Sequence, residues 1–171
     1  MTARIALVAA VTLVACPAIA ATGPSDAEIA HVAYTAGNLD IDAAKFALTR
    51  SQSATVREFA QTMVRDHEAV NEKALALVKK LGVTPQANAT SRALTKQATE
   101  TRHRLSALEG AAFDKAYAVN EAAYHATVNS ALKTTLIPSA DNGELKALLE
   151  TGLTLFREHQ RHAEHLAAEL K

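Results

Sequence analysis

From Ser25 to the C-terminus, apolar residues return every three or four positions in long runs, and little in the chain interrupts them. Only 6 Gly and 4 Pro occur in 171 residues, Trp is absent, and aromatic residues make up 4%. That period places the apolar residues on one face of an α-helix. Strands would need strict alternation and more aromatic residues than this chain supplies. Much of the apolar fraction is Ala, which loses no side-chain entropy in a helix. An all-α fold is the consequence.

The runs define five helices. Ser25-Asp26-Ala27-Glu28 has the form of a capping box, and Ile29, Val32, Ala33, Ala36, Ala43, Phe46 and Ala47 follow at helical spacing. This predicts a first helix over 25–50, with Gly37 as a weak point. A second capping box is read in Thr55-Val56-Arg57-Glu58. The cleanest stripe follows it, through Phe59, Met63, His67, Asn71, Leu77 and Leu81, with Gly82 as C-cap and Pro85 as a stop. A second helix is expected over 54–81. A weaker, polar helix covers 90–108, a fourth 111–135, and a fifth 143–170 after Pro138 and Asp141-Asn142-Gly143.

Four helices of about 25 residues are each nearly 40 Å long, and short turns make sequential neighbours antiparallel. The polar third helix can serve as a crossover that leaves the second and fourth parallel. The expected architecture is a ferritin-like up-down-down-up four-helix bundle with an additional crossover helix. A plain five-helix bundle is the alternative.

Residues 1–20 differ from the rest. Arg4 is their only charge, Ile5 to Ala15 is apolar, and Ala18-Ile19-Ala20 is a small-x-small cleavage pattern. This reads as an export signal, leaving a single domain over 21–171. Leu13-Val14-Ala15-Cys16 also has the form of a lipobox, which would place a lipid anchor on the only Cys. The expected location is therefore the periplasm, with a membrane-anchored lipoprotein as the alternative. The mature domain lacks Cys, which suits an oxidising compartment.

Charge excludes one class of partner. Lys+Arg and Asp+Glu are both 18, whereas nucleic-acid binding calls for a basic excess. No Gly-x-Ser-x-Gly and no phosphate-cradling Gly-rich loop is present, and the one Cys lies in the signal. A homo-oligomer through the polar third helix or an Ala-rich face is a further expectation.

Four segments carry a resemblance: Phe59-Ala60-Gln61-Thr62-Met63-Val64-Arg65-Asp66-His67, Leu81-Gly82-Val83-Thr84-Pro85, Gly110-Ala111-Ala112-Phe113-Asp114-Lys115-Ala116-Tyr117, and His159-Gln160-Arg161-His162-Ala163. In this order they resemble the exported bacterial family called domain of unknown function 4142, over nearly all of 26–170. The resemblance implies a ferritin-like bundle and an envelope location, and implies no activity. Two positions depart from its pattern: Asp42 stands where Glu is expected, and Glu109 where Ser is expected.

Polar residues on inward stripes are the candidates for chemistry. At ~1.5 Å per residue, Asp42, His67, Glu121, His125 and His159 fall in one central slab of the bundle. These five are the candidate metal ligands, and zinc, copper or iron is the implied cofactor class. The di-iron pattern of ferritin-like proteins needs Glu-x-x-His on two helices. Here Val64 precedes His67 and Phe156 precedes His159 at that spacing, so a ferroxidase is not expected. The competing reading keeps these histidines structural, satisfied by neighbours such as Asp114 and Tyr117. Taken alone, the sequence favours an exported helical bundle with a non-enzymatic binding or stress-protective role, with metal binding as the alternative.

Overall fold

The computed structural model describes residues 23–170. The expected signal peptide, the lipobox and Cys16 lie outside the described residues. Those described form helices and short connections, with no strand. The five long helices are α1 (Asp26–Arg50), α2 (Ala54–Leu81), α3 (Ala89–Ser106), α4 (Gly110–Ala131) and α5 (Gly143–Glu169). None of them is long and apolar enough to cross a membrane.

Local chemistry sets the ends. Ser25 caps α1 in the expected capping box, and Glu28 bonds back to the Ser25 N–H at 3.0 Å. The cap of α2 is Ser53 and not Thr55; its hydroxyl accepts from the Val56 N–H. The α2 terminus is the expected Gly82 in the left-handed region (φ 65°), with the Val83 N–H donating to the Val78 carbonyl. Asn142 caps α5, and Asp26 accepts from the Asp141 and Asn142 N–H groups, tying that turn to the start of α1. Two cations close helix ends from neighbouring helices: Lys115 donates to the Ala167 and Leu170 carbonyls, and Arg50 to the Leu108 carbonyl.

The fourth helix continues further than its periodicity suggests. A π-helical segment, Leu132–Leu136, leads into a short turn at Ile137–Ser139 that contains Pro138. Proline cannot donate to a residue four back and crowds that carbonyl, and the wider π turn immediately before it accommodates this. Leu132 and Leu136 are both buried as a result.

Cross-helix contacts give the helix directions. Lys45 meets Glu68 and Asn38 meets Asn71, so α1 and α2 run antiparallel. Lys115 meets Ala167 and Asn129 meets Gln160, so α4 and α5 do likewise. Phe59 packs on Tyr117 and His67 on His125, which makes α2 and α4 parallel. The polar α3 lies against α1 and α4 and buries only Ser91, Thr101 and Leu105. This coverage shifts the α1 core face: Ala44 is fully buried, while Ala43 and Phe46 are partly buried towards α3.

The interior is layered. One apolar core joins Ala44, Ala47, Phe59, Met63, Phe113, Tyr117 and Leu166. A second, at the other end, joins Ile29, Val32, Leu132, Leu145, Leu149 and Phe156. Between them each long bundle helix contributes buried polar residues: Asp40, His67 and Asn71, Glu121, His125 and Asn129, and His159. The apolar cores carry the stability, because each large side chain removed from water contributes about 1.5–3 kcal/mol. The polar layer opposes it, because buried polar groups are costly unless paired.

Gly37, expected as a weak point, has a packing role. A Cβ there would collide with the buried Asn71 side chain, which donates to Asn38 at 3.0 Å. Gly37→Val should destabilise the protein by about 1–3 kcal/mol, the usual effect of overpacking. Asn71→Ala in the same chain should recover part of that loss, because the collision partner is gone. Urea unfolding of the single and double variants checks both.

Candidate metal centre

Five buried side chains from four helices meet in the polar layer. Asp40 enters from α1, His67 from α2, Glu121 and His125 from α4, and His159 from α5. Ligand atoms of His67, His125 and His159 lie within 4.8 Å of one another, as do those of Asp40, Glu121 and His125. The His67 and His125 Nε2 atoms are 3.5 and 3.3 Å from Asp40 Oδ2. Phe156 stacks on the His67 ring at 4.6 Å and closes the layer on the side of the second core.

Local sequence accounts for this convergence. Glu121 and His125 are one helical turn apart and share a face. Asp40 lies four residues from both Ala36 and Ala44, all three buried, so it belongs to the core stripe of α1. His67 and His159 continue the stripes that begin at Phe59 and end at Leu166.

Two of the imidazoles are held in a single orientation. The Nδ1 of His125 is 3.0 Å from the Glu121 carbonyl oxygen, which can only accept, so Nδ1 carries the proton. The Nε2 of His159 is 3.0 Å from Asp66 Oδ2. Burial pushes the Asp66 carboxyl up, but hydrogen bonds from Arg65 and His159 outweigh it and hold Asp66 below its ordinary value. An ionised carboxylate also only accepts, so His159 is protonated at Nε2. The lone pairs of His125 Nε2 and His159 Nδ1 are thereby left free, each with an oxygen holding the opposite nitrogen. Metal-binding histidines are oriented in this way.

Many of these atoms have no partner among the described residues. They are both nitrogens of His67, Nε2 of His125, Nδ1 of His159, both oxygens of Asp40 and Oε2 of Glu121. Asp40, although close to two imidazoles, makes no hydrogen bond of acceptable geometry with them. The structural reading is met at one nitrogen each of His125 and His159, and it has no partner to offer His67. Asp114 and Tyr117, the expected partners, have unpartnered oxygens of their own. Native interiors leave few such atoms, and seven in one layer call for an explanation.

Burial also sets the protonation. Asp40 is pushed up to about 8 by burial alone, and Glu121 is raised well above its ordinary value by burial and by Asp40. His125 is lowered to about 4, chiefly by burial, and His67 well below 6.5 by burial and the neighbouring His125 and His159. The histidines are consequently neutral near pH 7, which is the metal-binding form. The two acids can each give up a proton when a cation arrives.

Of the sequence-predicted ligands, His67, Glu121, His125 and His159 come together. Asp42 does not: it is exposed on α1, and Asp40 takes the place expected for it. Two residues along a helix is a rotation of roughly 200°, so Asp40 is buried in the layer while Asp42 stays exposed at the cavity rim. In the sequence the Ala36-x-x-x-Asp40-x-x-x-Ala44 spacing fits an inward Asp40, while Phe46, four residues after Asp42, fits an inward Asp42 equally. The Asp66–His159 pair links two helices far apart in the chain and has no sequence signal. His162 and His165 are exposed, as their drift around the last helix suggests, although His162 meets Phe59 edge-on at 5.0 Å.

No curated protein and no solved structure matches the chain. Residues 14–166 match the family described as Domain of unknown function (DUF4142). That span holds all five converging residues together with Asp66, and the four segments quoted for the resemblance lie within it. The chain belongs to the DUF4142 family.

Proposed function

We propose that this protein is an exported, ferritin-like helical bundle that binds one divalent first-row transition metal in its polar layer. The single observation carrying this reading is the set of unpartnered, buried nitrogen and oxygen atoms that four helices gather into two adjoining groups sharing His125. Imidazole and carboxylate donors without thiolate suit zinc, copper or iron. His67, His125, His159 and Asp40 would hold the ion, with Glu121 beside them.

A two-metal ferroxidase fits less well. Among the described residues, Asp40 and Glu121 are the only carboxyl groups inside the layer, since Asp66 is engaged with Arg65 and His159. The ferritin-like assignment draws on the parallel α2 and α4 with the polar α3 spanning between them. The envelope location draws on the signal-like residues 1–20, and the lipid anchor at Cys16 remains its alternative form. The role that follows is metal binding or buffering in the envelope, without a reaction assigned to it.

The test uses mature protein without a histidine tag. Elemental analysis after exposure to Zn, Cu, Fe or Mn is expected to find one equivalent of at least one metal. At a free metal concentration of about 100 times Kd, stability should rise by roughly 2.7 kcal/mol. For a domain of this size that is a melting shift of about 5–10 °C. No stoichiometric metal and no shift with any of the four overturns the reading.

A further inference from the structure

A cavity of about 500 Å³ lies between α1, α3 and α4, and its lining includes Asp40 and Glu121 but none of the three histidines. The two carboxyl groups therefore separate the cavity from the imidazoles. On the opposite side the imidazoles are closed off: Phe156 stacks on His67, and the Arg65–Asp66 pair stands over His159. We infer that the α1–α3–α4 cavity is the loading chamber of the metal centre, where a hydrated divalent cation meets Asp40 and Glu121 before it reaches the histidines. This rests on the metal-binding reading and assigns it a direction.

Three features support the route. First, the volume is ample for an ion with its inner waters, each water occupying about 30 Å³. Second, the unpartnered oxygens, both of Asp40 and Oε2 of Glu121, belong to residues that line the cavity and are only 1% exposed. They can replace waters of the ion one at a time. Third, the covering helix is the loosest part of the bundle: α3 is polar and buries only Ser91, Thr101 and Leu105. The rim carries both signs of charge, with Asp42 and Arg102, so the floor carboxyl groups and not the rim select for a cation. Arg102 is held over the Phe46 ring at 4.3 Å, on the wall of the cavity.

The test is the rate of metal uptake by the full mature protein, followed by stopped flow as Zn²⁺ is drawn from a chromophoric chelator. Ala98→Trp fills the chamber from α3, and Ala123→Phe fills it from α4; neither residue is a proposed ligand. Either plug is expected to slow uptake about ten-fold or more while the final stoichiometry stays at the wild-type value. Leu155→Ala trims α5 one turn before His159, outside the cavity lining, and should leave the rate within about two-fold of wild type. Wild-type rates in both plugged variants, at full stoichiometry, overturn the route and leave metal binding intact. Faster uptake in Leu155→Ala overturns it in favour of the α5 side. If the wild-type protein takes up no Zn²⁺ and no other metal, the metal-binding reading fails and the route fails with it. Circular dichroism of each variant separates a blocked chamber from a failure to fold, and the two plugs on different helices guard against loss of either one.

Discussion

His125→Ala is expected to abolish the metal-induced rise in melting temperature while leaving a folded protein. His125 is the one residue common to both groups of converging donors, and its Nε2 is free because the Glu121 carbonyl holds Nδ1. Changing a group that merely orients a metal ligand costs roughly 10–100-fold in affinity, and removing the ligand itself costs more. At the metal concentration that shifts the wild type by about 5–10 °C, the variant should therefore show almost no shift. The metal-free form should change little. Truncation loses packing, but it also removes a buried nitrogen without a partner, and the latter relieves about 1–3 kcal/mol. His162→Ala is the control: His162 is exposed on the same helix as His159 and should keep the full shift. A full shift in His125→Ala, or its loss in His162→Ala, would move any metal out of the polar layer.

Asp40→Asn is expected to act with opposite signs in the two states. In the metal-free protein it removes a buried carboxyl group that has no hydrogen-bond partner, and it should stabilise the fold by about 1–3 kcal/mol near pH 8. In the presence of metal it should weaken binding and remove most of the stabilisation. Asp40 is pushed from its ordinary 3.8 to about 8 in the folded chain. Between those values the folded state holds a proton that the unfolded state has released, so metal-free stability falls as pH rises towards 8. The histidines work the other way. Their folded values lie below 6.5, so their contribution is lost as pH falls from about 6.5 towards 4. The two slopes oppose each other below pH 6.5, and only the acid slope remains above it. Metal-free wild type should therefore lose melting temperature between pH 6.5 and 8, Asp40→Asn should lose less, and the metal-bound wild type should gain. The gain follows because binding displaces protons and tightens as they are removed. A metal-free melting temperature that rises over that interval would contradict the burial of Asp40 as an unpaired acid.

Both predictions describe a centre whose residues weaken the fold until something binds them. Two apolar cores, one around Phe59, Phe113 and Tyr117 and the other around Ile29, Leu145 and Phe156, hold the bundle at either side of the layer. They allow the layer to remain unsatisfied, because most of their contacts are among their own apolar residues. Functional sites are where local rules of satisfaction are broken and offset elsewhere.

The helices and their ends were legible in the sequence because the causes are local. The Ser25–Glu28 box, Gly82 and the apolar stripe of α2 each act within a turn or two, so spacing alone reveals them. Thr55 has the form of an α2 cap, but Ser53 supplies the same local chemistry two residues earlier. The burial of His67, Glu121, His125 and His159 was also legible, since a polar residue on an apolar stripe must enter the core. Asp42 and Asp40 separated only in the folded chain. Which aspartate points inward depends on the face of α1 that α2 and α4 cover, and α3 claims the other side through Ala43 and Phe46. The Asp66–His159 bond, the free nitrogens of the three imidazoles and the cavity under α3 have the same origin. Each arises where helices distant in sequence meet, and such contacts leave no period or spacing to read. For this protein, short-range helix chemistry determined the all-α fold from sequence, and the tertiary packing of four helix faces decided which polar groups were left without partners.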